Sequence, residues 1–126
     1  MNYLLYCVLR ASDHPRLKNL RGVGGQPVFL IAKNGLAAAV SRIASSELTP
    51  AVGRALAYEK VIQSIHRHCA VIPFRYSSVF ARESQVSAFL EERGRQYKAL
   101  LGALEGSVEM SIHAVFNRME PRATTA

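Results

Sequence analysis

Apolar positions follow two rhythms along this chain, and together they predict most of its elements. Tyr3 to Leu9 is almost continuously apolar, the pattern of a strand covered on both faces. Ser12 to Pro27 is rich in glycine, proline and polar groups and predicts a loop. Val28 to Ala32 predicts a second strand, and Asn34-Gly35 predicts a tight hairpin, since both residues tolerate positive φ. Leu36 to Ser41 is then the return strand, and Ile43 to Leu48 leads out of the sheet.

Helical spacing takes over next. Thr49 suits an N-cap and Pro50 the first helical position, so a helix is predicted to run to about His66. On a helical wheel, Val52, Ala55, Leu56, Ile62 and Ile65 share one side, with Glu59 among them and His66 nearby. Arg54, Lys60, Ser64 and Arg67 share the other side. Ala70 to Phe74 is too short for a helix, contains Pro73, and predicts a fourth strand. A second helix is predicted from near Ser84 to just before Gly106, which suits the residue after a helix end. Its stripe is Val86, Phe89, Leu90, Tyr97, Leu100, Leu101 and Leu104, with Arg93 inside it. Val108, Met110, Ile112, Ala114 and Phe116 alternate as in a last strand with one buried face.

The resulting order, β-β-β-α-β-α-β, predicts an α+β domain: a mainly antiparallel sheet with two helices on one face. The layout is modified ferredoxin-like, with the first crossover helix replaced by a loop. Residues 1–116 are expected to form this one domain and 117–126 a flexible tail.

Composition narrows the function classes. The 126 residues, 49% hydrophobic and 20% charged, are those of an ordinary globular domain. No apolar stretch reaches the ~18 residues of a membrane span. The first nine residues lack a basic leader and a small-residue cleavage site, so they read as a strand and not a signal peptide. Cys7 and Cys69 stand in apolar contexts and predict buried free thiols. The net charge of +7 suits nucleic acid, an anionic membrane or an acidic protein surface. The basic residues are scattered, however, and no aromatic-basic stripe forms, so nucleic acid is not an expected partner.

Candidate chemistry centres on two charges in apolar surroundings. Arg75 is either a surface group at a strand end or the cation of a buried pair. Glu59, on an apolar helix face, is its expected partner, and Arg93 is the rival. Such a pair is structural: it would lock the first helix to the sheet. His66-Arg67-His68-Cys69 does not converge as zinc ligands do, because His66 and His68 diverge on a helix. Gly22-Val23-Gly24-Gly25 lacks the Gly-Lys-Ser/Thr of a phosphate loop and predicts a turn. The serines stand outside any nucleophile-elbow context. Neither catalytic residue, metal nor cofactor is expected. Tyr76, Phe80, Met110 and Phe116 are the candidate partner-contact anchors.

Several stretches carry a family resemblance. They are Tyr3-Leu4-Leu5-Tyr6, Gly22 to Val28, Gly35 to Ser41, Tyr58-Glu59-Lys60-Val61-Ile62, Val71 to Tyr76 with Val79-Phe80, and Leu101 to Leu104 with Gly106 and Glu109. In this order they resemble the N-terminal domain of the GvpL/GvpF family of gas vesicle proteins. The family usually carries His or a similar residue where this chain has Tyr58, and normally continues into a second domain. The resemblance implies a cytoplasmic, gas vesicle-associated, non-enzymatic accessory or minor structural protein. It would assist shell assembly through contacts with the main shell protein and other accessory proteins. The alternative reading, from charge, is a basic ferredoxin-like module binding nucleic acid or an anionic small ligand.

Overall fold

The computed structural model describes residues 2–13, 17, 19–44, 51–76 and 78–105. The elements in chain order are β1 (Asn2–Arg10), β2 (Phe29–Lys33), β3 (Leu36–Ile43), α1 (Val52–His66), β4 (Ile72–Pro73), β5 (Val79–Phe80) and α2 (Glu83–Glu105). Short 3-10 turns at Ala11–Asp13 and Val23–Gly25 punctuate the long β1–β2 connection. The last strand expected at 108–116, the tail at 117–126, and the capping residues Thr49 and Pro50 lie outside the described residues.

The strands lie in the order β2-β3-β1-β4, all antiparallel, with β5 also on β1. Asn34-Gly35 makes the tight turn, with φ of 54° and 80°, conformations in which asparagine and glycine are at home. The path β1–loop–β2–β3–α1–β4 is the ferredoxin-like plan with a loop in place of its first crossover helix. The α+β, antiparallel class is that read from the sequence.

The placement of the helices differs from the expectation of one shared face. Leu5, Val8, Leu36, Ala38 and Val40 pack with Val86, Phe89, Leu90, Tyr97 and Leu101 of α2. Leu4, Tyr6, Leu9, Ala37, Ala39 and Ile43 pack with Tyr58, Val61 and Ile65 of α1 and with Val23 and Val28 of the loop. The two helices therefore cover opposite faces. The reason lies in the central strands: β1 and β3 are apolar on both sides, and side chains alternate across a strand. A single covered face would leave Leu4, Leu9 and Ile43 in water, at roughly 1.5–3 kcal/mol each.

The wheel assignment of α1 is also corrected. Val52 and Leu56 are 79% and 54% exposed, and the buried side is Tyr58, Val61 and Ile65. Apolar residues occur around most of this helix, so spacing alone did not choose its inner face. In α2 the stripe is as expected: Val86, Phe89, Leu90, Tyr97, Leu101 and Leu104 are buried.

Candidate functional site

The most constrained part of the molecule lies where the regular ladder of β1 breaks. The β1–β3 register shifts between Leu5 and Cys7, so Tyr6 is an inserted residue. Tyr6 and Cys7 consequently both face α1. On the other edge of β1, β4 pairs with Cys7 and Val8 and β5 with Tyr3 and Leu4. The corner joining β4 to β5 therefore stands opposite the bulge. There Phe74 N–H donates to Tyr6 O at 3.0 Å, and Leu5 N–H donates to Ser78 O at 2.8 Å.

Tyr58 reaches into this break from α1. Its hydroxyl lies 2.6 Å from Leu5 O and 2.8 Å from Arg75 O, with Tyr6 O at 3.4 Å. One phenolic proton thus serves carbonyls from the bulge and from the corner, and ties α1 to both. The Tyr58 ring stacks on Tyr6 at 4.9 Å and meets the edge of Tyr76 at 5.6 Å. The Tyr6 hydroxyl shares a 2.7 Å hydrogen bond with Ser41 Oγ and accepts from Val23 N–H at 3.0 Å. Gly22 must be glycine here, because a Cβ would press on the Tyr6 hydroxyl. The Gly22–Gly25 segment is a turn leading to a strand, held against Tyr6.

The electrostatics of this clasp favour neutral groups. Burial pushes the Tyr58 hydroxyl well above the usual phenol range, with Cys7 and Tyr6 adding to the shift. Burial likewise raises Tyr6, although its hydrogen bonds to Ser41 and Val23 act the other way. Burial also drives the Cys7 thiol far up, so it is a packed apolar group and not a nucleophile. These side chains donate and accept hydrogen bonds; none is tuned to lose a proton near neutrality.

The charged residues singled out in the sequence sit elsewhere. Glu59 and Arg75 are both exposed, so the burial that would make their pairing a lock is absent. Arg75 links to α1 through its backbone carbonyl, which accepts from Tyr58, one position before Glu59, as well as from Ser78. Arg93 is half-buried and lies over the Phe89 ring, 5.2 Å from its centroid. Tyr76 and Phe80 are half-buried and spend their rings on Tyr58 and Phe89. Met110 and Phe116 lie outside the described residues. His66 and Cys69 serve the end of α1: Cys69 O lies 3.3 Å from His66 Nδ1, and Cys69 Sγ–H points to Ile65 O. Among the described residues, no three His, Cys, Asp or Glu side chains gather to hold a metal.

Comparison with known proteins places this architecture. The model of the family "Gas vesicle synthesis protein GvpL/GvpF" matches residues 2–125. The chain belongs to the GvpL/GvpF family. It is 32% identical over 117 residues to gas vesicle protein F of a Streptomyces species, covering 90% of this chain and 48% of that one. Crystal structures of GvpF share the fold: that from Anabaena at TM-score 0.67 and 21% identity, that from Microcystis aeruginosa at 0.70 and 19%. The matched parts are 82% and 83% of this chain but 43% and 44% of those chains. The chain thus spans about half the length of the relatives it matches. No described helix is long and apolar enough to cross a membrane.

Tyr58 was missed as the residue that holds α1. The available signal was an aromatic with a polar tip in a helix. What it bonds to depends on the bulge, which the sequence does not announce.

Proposed function

We propose that this chain is a non-enzymatic gas vesicle accessory protein that assists shell assembly by protein–protein contact. The observation that carries the reading is the family match across residues 2–125. The chemistry agrees with it: the buried titratable groups Tyr6, Tyr58 and Cys7 are held neutral and serve as packing and hydrogen-bonding groups. A rigid domain with both sheet faces filled offers its rim and outer helix surfaces to partners. The partners are the main shell protein and other gas vesicle accessory proteins, and the site of action is the assembling vesicle.

The test uses a gas vesicle gene cluster in a heterologous host, with and without this chain, read by buoyancy and electron microscopy. Singly expressed gas vesicle proteins are captured in parallel on the tagged chain. Loss of vesicles on omission, with capture of at least one vesicle protein, supports the reading. Unchanged vesicles together with no capture overturn it.

A further inference from the structure

The two edges of the sheet are finished differently. On one side, Phe74 N–H of the β4 segment donates inward to Tyr6 O, so the neighbouring Pro73, which has no N–H, turns its nitrogen outward. That proline and the break at the β4–β5 corner blunt this edge. The other edge is β2, which pairs with β3 alone. Asn34-Gly35 joins Lys33 directly to Leu36, and in a two-residue hairpin of this kind those flanking residues bond to each other. Alternation along the ladder then turns the backbone groups of Phe29, Ile31 and Lys33 towards β3, and those of Val28, Leu30 and Ala32 outward. Val28 fits this parity: its N–H donates outward to Leu20 O at 3.2 Å. There the cover stops. Leu20 N–H bonds back to Leu17 O at 2.9 Å in a turn, and among the described residues no bridge or hydrogen bond reaches the outer side of Leu30 or Ala32. Phe29 and Ile31 pack on the α2 face and Leu30 on the α1 face, while Ala32 and Lys33 are exposed.

We propose that the outer edge of β2 docks on the same edge of a second copy of this chain, antiparallel about a two-fold axis at Ile31, so that the two sheets become one. An open edge takes another strand, since only extended backbone matches its spacing of donors and acceptors. The choice of a second copy rests on the fit of this edge to itself. With the axis at Ile31, Leu30 stands opposite Ala32 of the second copy, and Ala32 opposite its Leu30. Each such pair exchanges both of its hydrogen bonds, so every open N–H and C=O of these residues is used. An axis at Leu30 would call on Val28, whose N–H is already bonded to Leu20 O. An axis at Ala32 would set Leu30 against Asn34, which leaves the strand with φ of 54°. The Ile31 register also sets Phe29 opposite Lys33 of the second copy on the α2 face, so each ammonium meets a ring and not the other ammonium. Each copy carries a net charge of +7, so long-range repulsion opposes this contact and salt strengthens it.

The test measures self-association of the wild type, Ala32→Pro and Ala32→Asp by sedimentation over about 10–1,000 μM. Ala32 is exposed and its N–H lies outside the β2–β3 ladder, the position at which an edge strand tolerates proline. Ala32→Asp keeps the N–H and instead sets a carboxylate against Leu30 of the second copy. Thermal melts within a few degrees of wild type show which variants fold. The expected result is a monomer–dimer equilibrium that tightens when salt is raised to about 0.5 M. Each folded variant should weaken it about tenfold or more. Amide exchange followed by NMR on the wild type reads the register without any substitution: the Leu30 and Ala32 N–H groups should slow as the dimer fills. A wild type that stays monomeric across the range overturns the proposal. A dimer unmoved by the folded variants, or one that leaves the Leu30 and Ala32 amides fast, lies elsewhere and also overturns it. A monomeric chain whose capture of a vesicle protein is lost in Ala32→Pro overturns the second copy as occupant and gives the edge to a foreign strand.

Discussion

On the α2 face of the sheet, Phe74, Phe89 and Tyr97 meet mostly edge to ring, Phe80 joins Phe89, and the surrounding contacts are aliphatic. On the α1 face, two tyrosine hydroxyls and Ser41 are buried among apolar side chains and bonded to one another or to backbone. The first face is held by apolar area, which is large in sum and indifferent to small shifts. The second is held by directional bonds whose worth depends on position. The difference follows from the strand between them. A regular ladder pairs its carbonyls within the sheet, whereas at the bulge and the β4–β5 corner they draw on other donors: Phe74 N–H for Tyr6 O, Ser78 and Tyr58 for Arg75 O, and Tyr58 for Leu5 O.

This contrast is sharpened first on the α2 face. Leu90 is fully buried at its centre. Leu90→Ala should cost about 2–5 kcal/mol, read as a fall in the urea midpoint with unchanged slope. A loss below 1 kcal/mol would mean that α2 is not a principal cover of the sheet.

Removing one oxygen tests the α1 face. Tyr58→Phe keeps the ring and its stacking on Tyr6 but removes the hydroxyl donor to Leu5 O and one of the donors to Arg75 O, which keeps Ser78 N–H and Oγ. A cost of about 1–3 kcal/mol is expected by denaturant titration, with faster hydrogen exchange at the bulge and corner. A neutral outcome would show that α1 is seated by ring packing alone.

Alkaline pH probes the same face. The folded-state values of Tyr6 and Tyr58 are raised by burial, while in the unfolded chain tyrosine titrates near ~10. Their contribution is fully present below pH ~10 and is lost as pH rises from there towards the folded values, since the unfolded chain releases protons first. The decline should approach roughly 1.4 kcal/mol per pH unit for each group, and Tyr58→Phe should flatten it. A profile equally steep in wild type and Tyr58→Phe would remove Tyr58 from the account.

The smallest effect belongs to the neighbour. Glu59→Ala changes an exposed side chain and should stay within about 0.5 kcal/mol, measured by thermal melt beside Tyr58→Phe. A larger loss from Glu59→Ala than from Tyr58→Phe would restore the charge pair as the lock on α1.

Particular residues show why some of this was legible and some was not. Asn34-Gly35 announced its hairpin because positive φ is a local demand, and the hairpin in turn sets Lys33 opposite Leu36. The α2 stripe was readable because seven apolar residues recur at helical spacing with a polar remainder. The inner face of α1 was not, because Val52 and Leu56 are as apolar as Val61 and Ile65, and only the sheet beneath decides between them. Glu59 and Arg75 drew notice as charges in apolar surroundings, yet burial is a property of the assembled chain. The clue to helices on both faces was present in the two-sided apolar run of β1.

Local chemistry and periodicity settled the class of fold, the hairpin, the α2 stripe and the family, since each depends on residues near one another in the chain or on an ordered set of short motifs. Tertiary structure alone decided that Tyr6 would be an extra residue in β1 and that Tyr58 would meet Leu5 and Arg75. Those outcomes are set by pairing and packing between separate strands and helices, where a shift of one residue turns each side chain to the opposite side of the sheet.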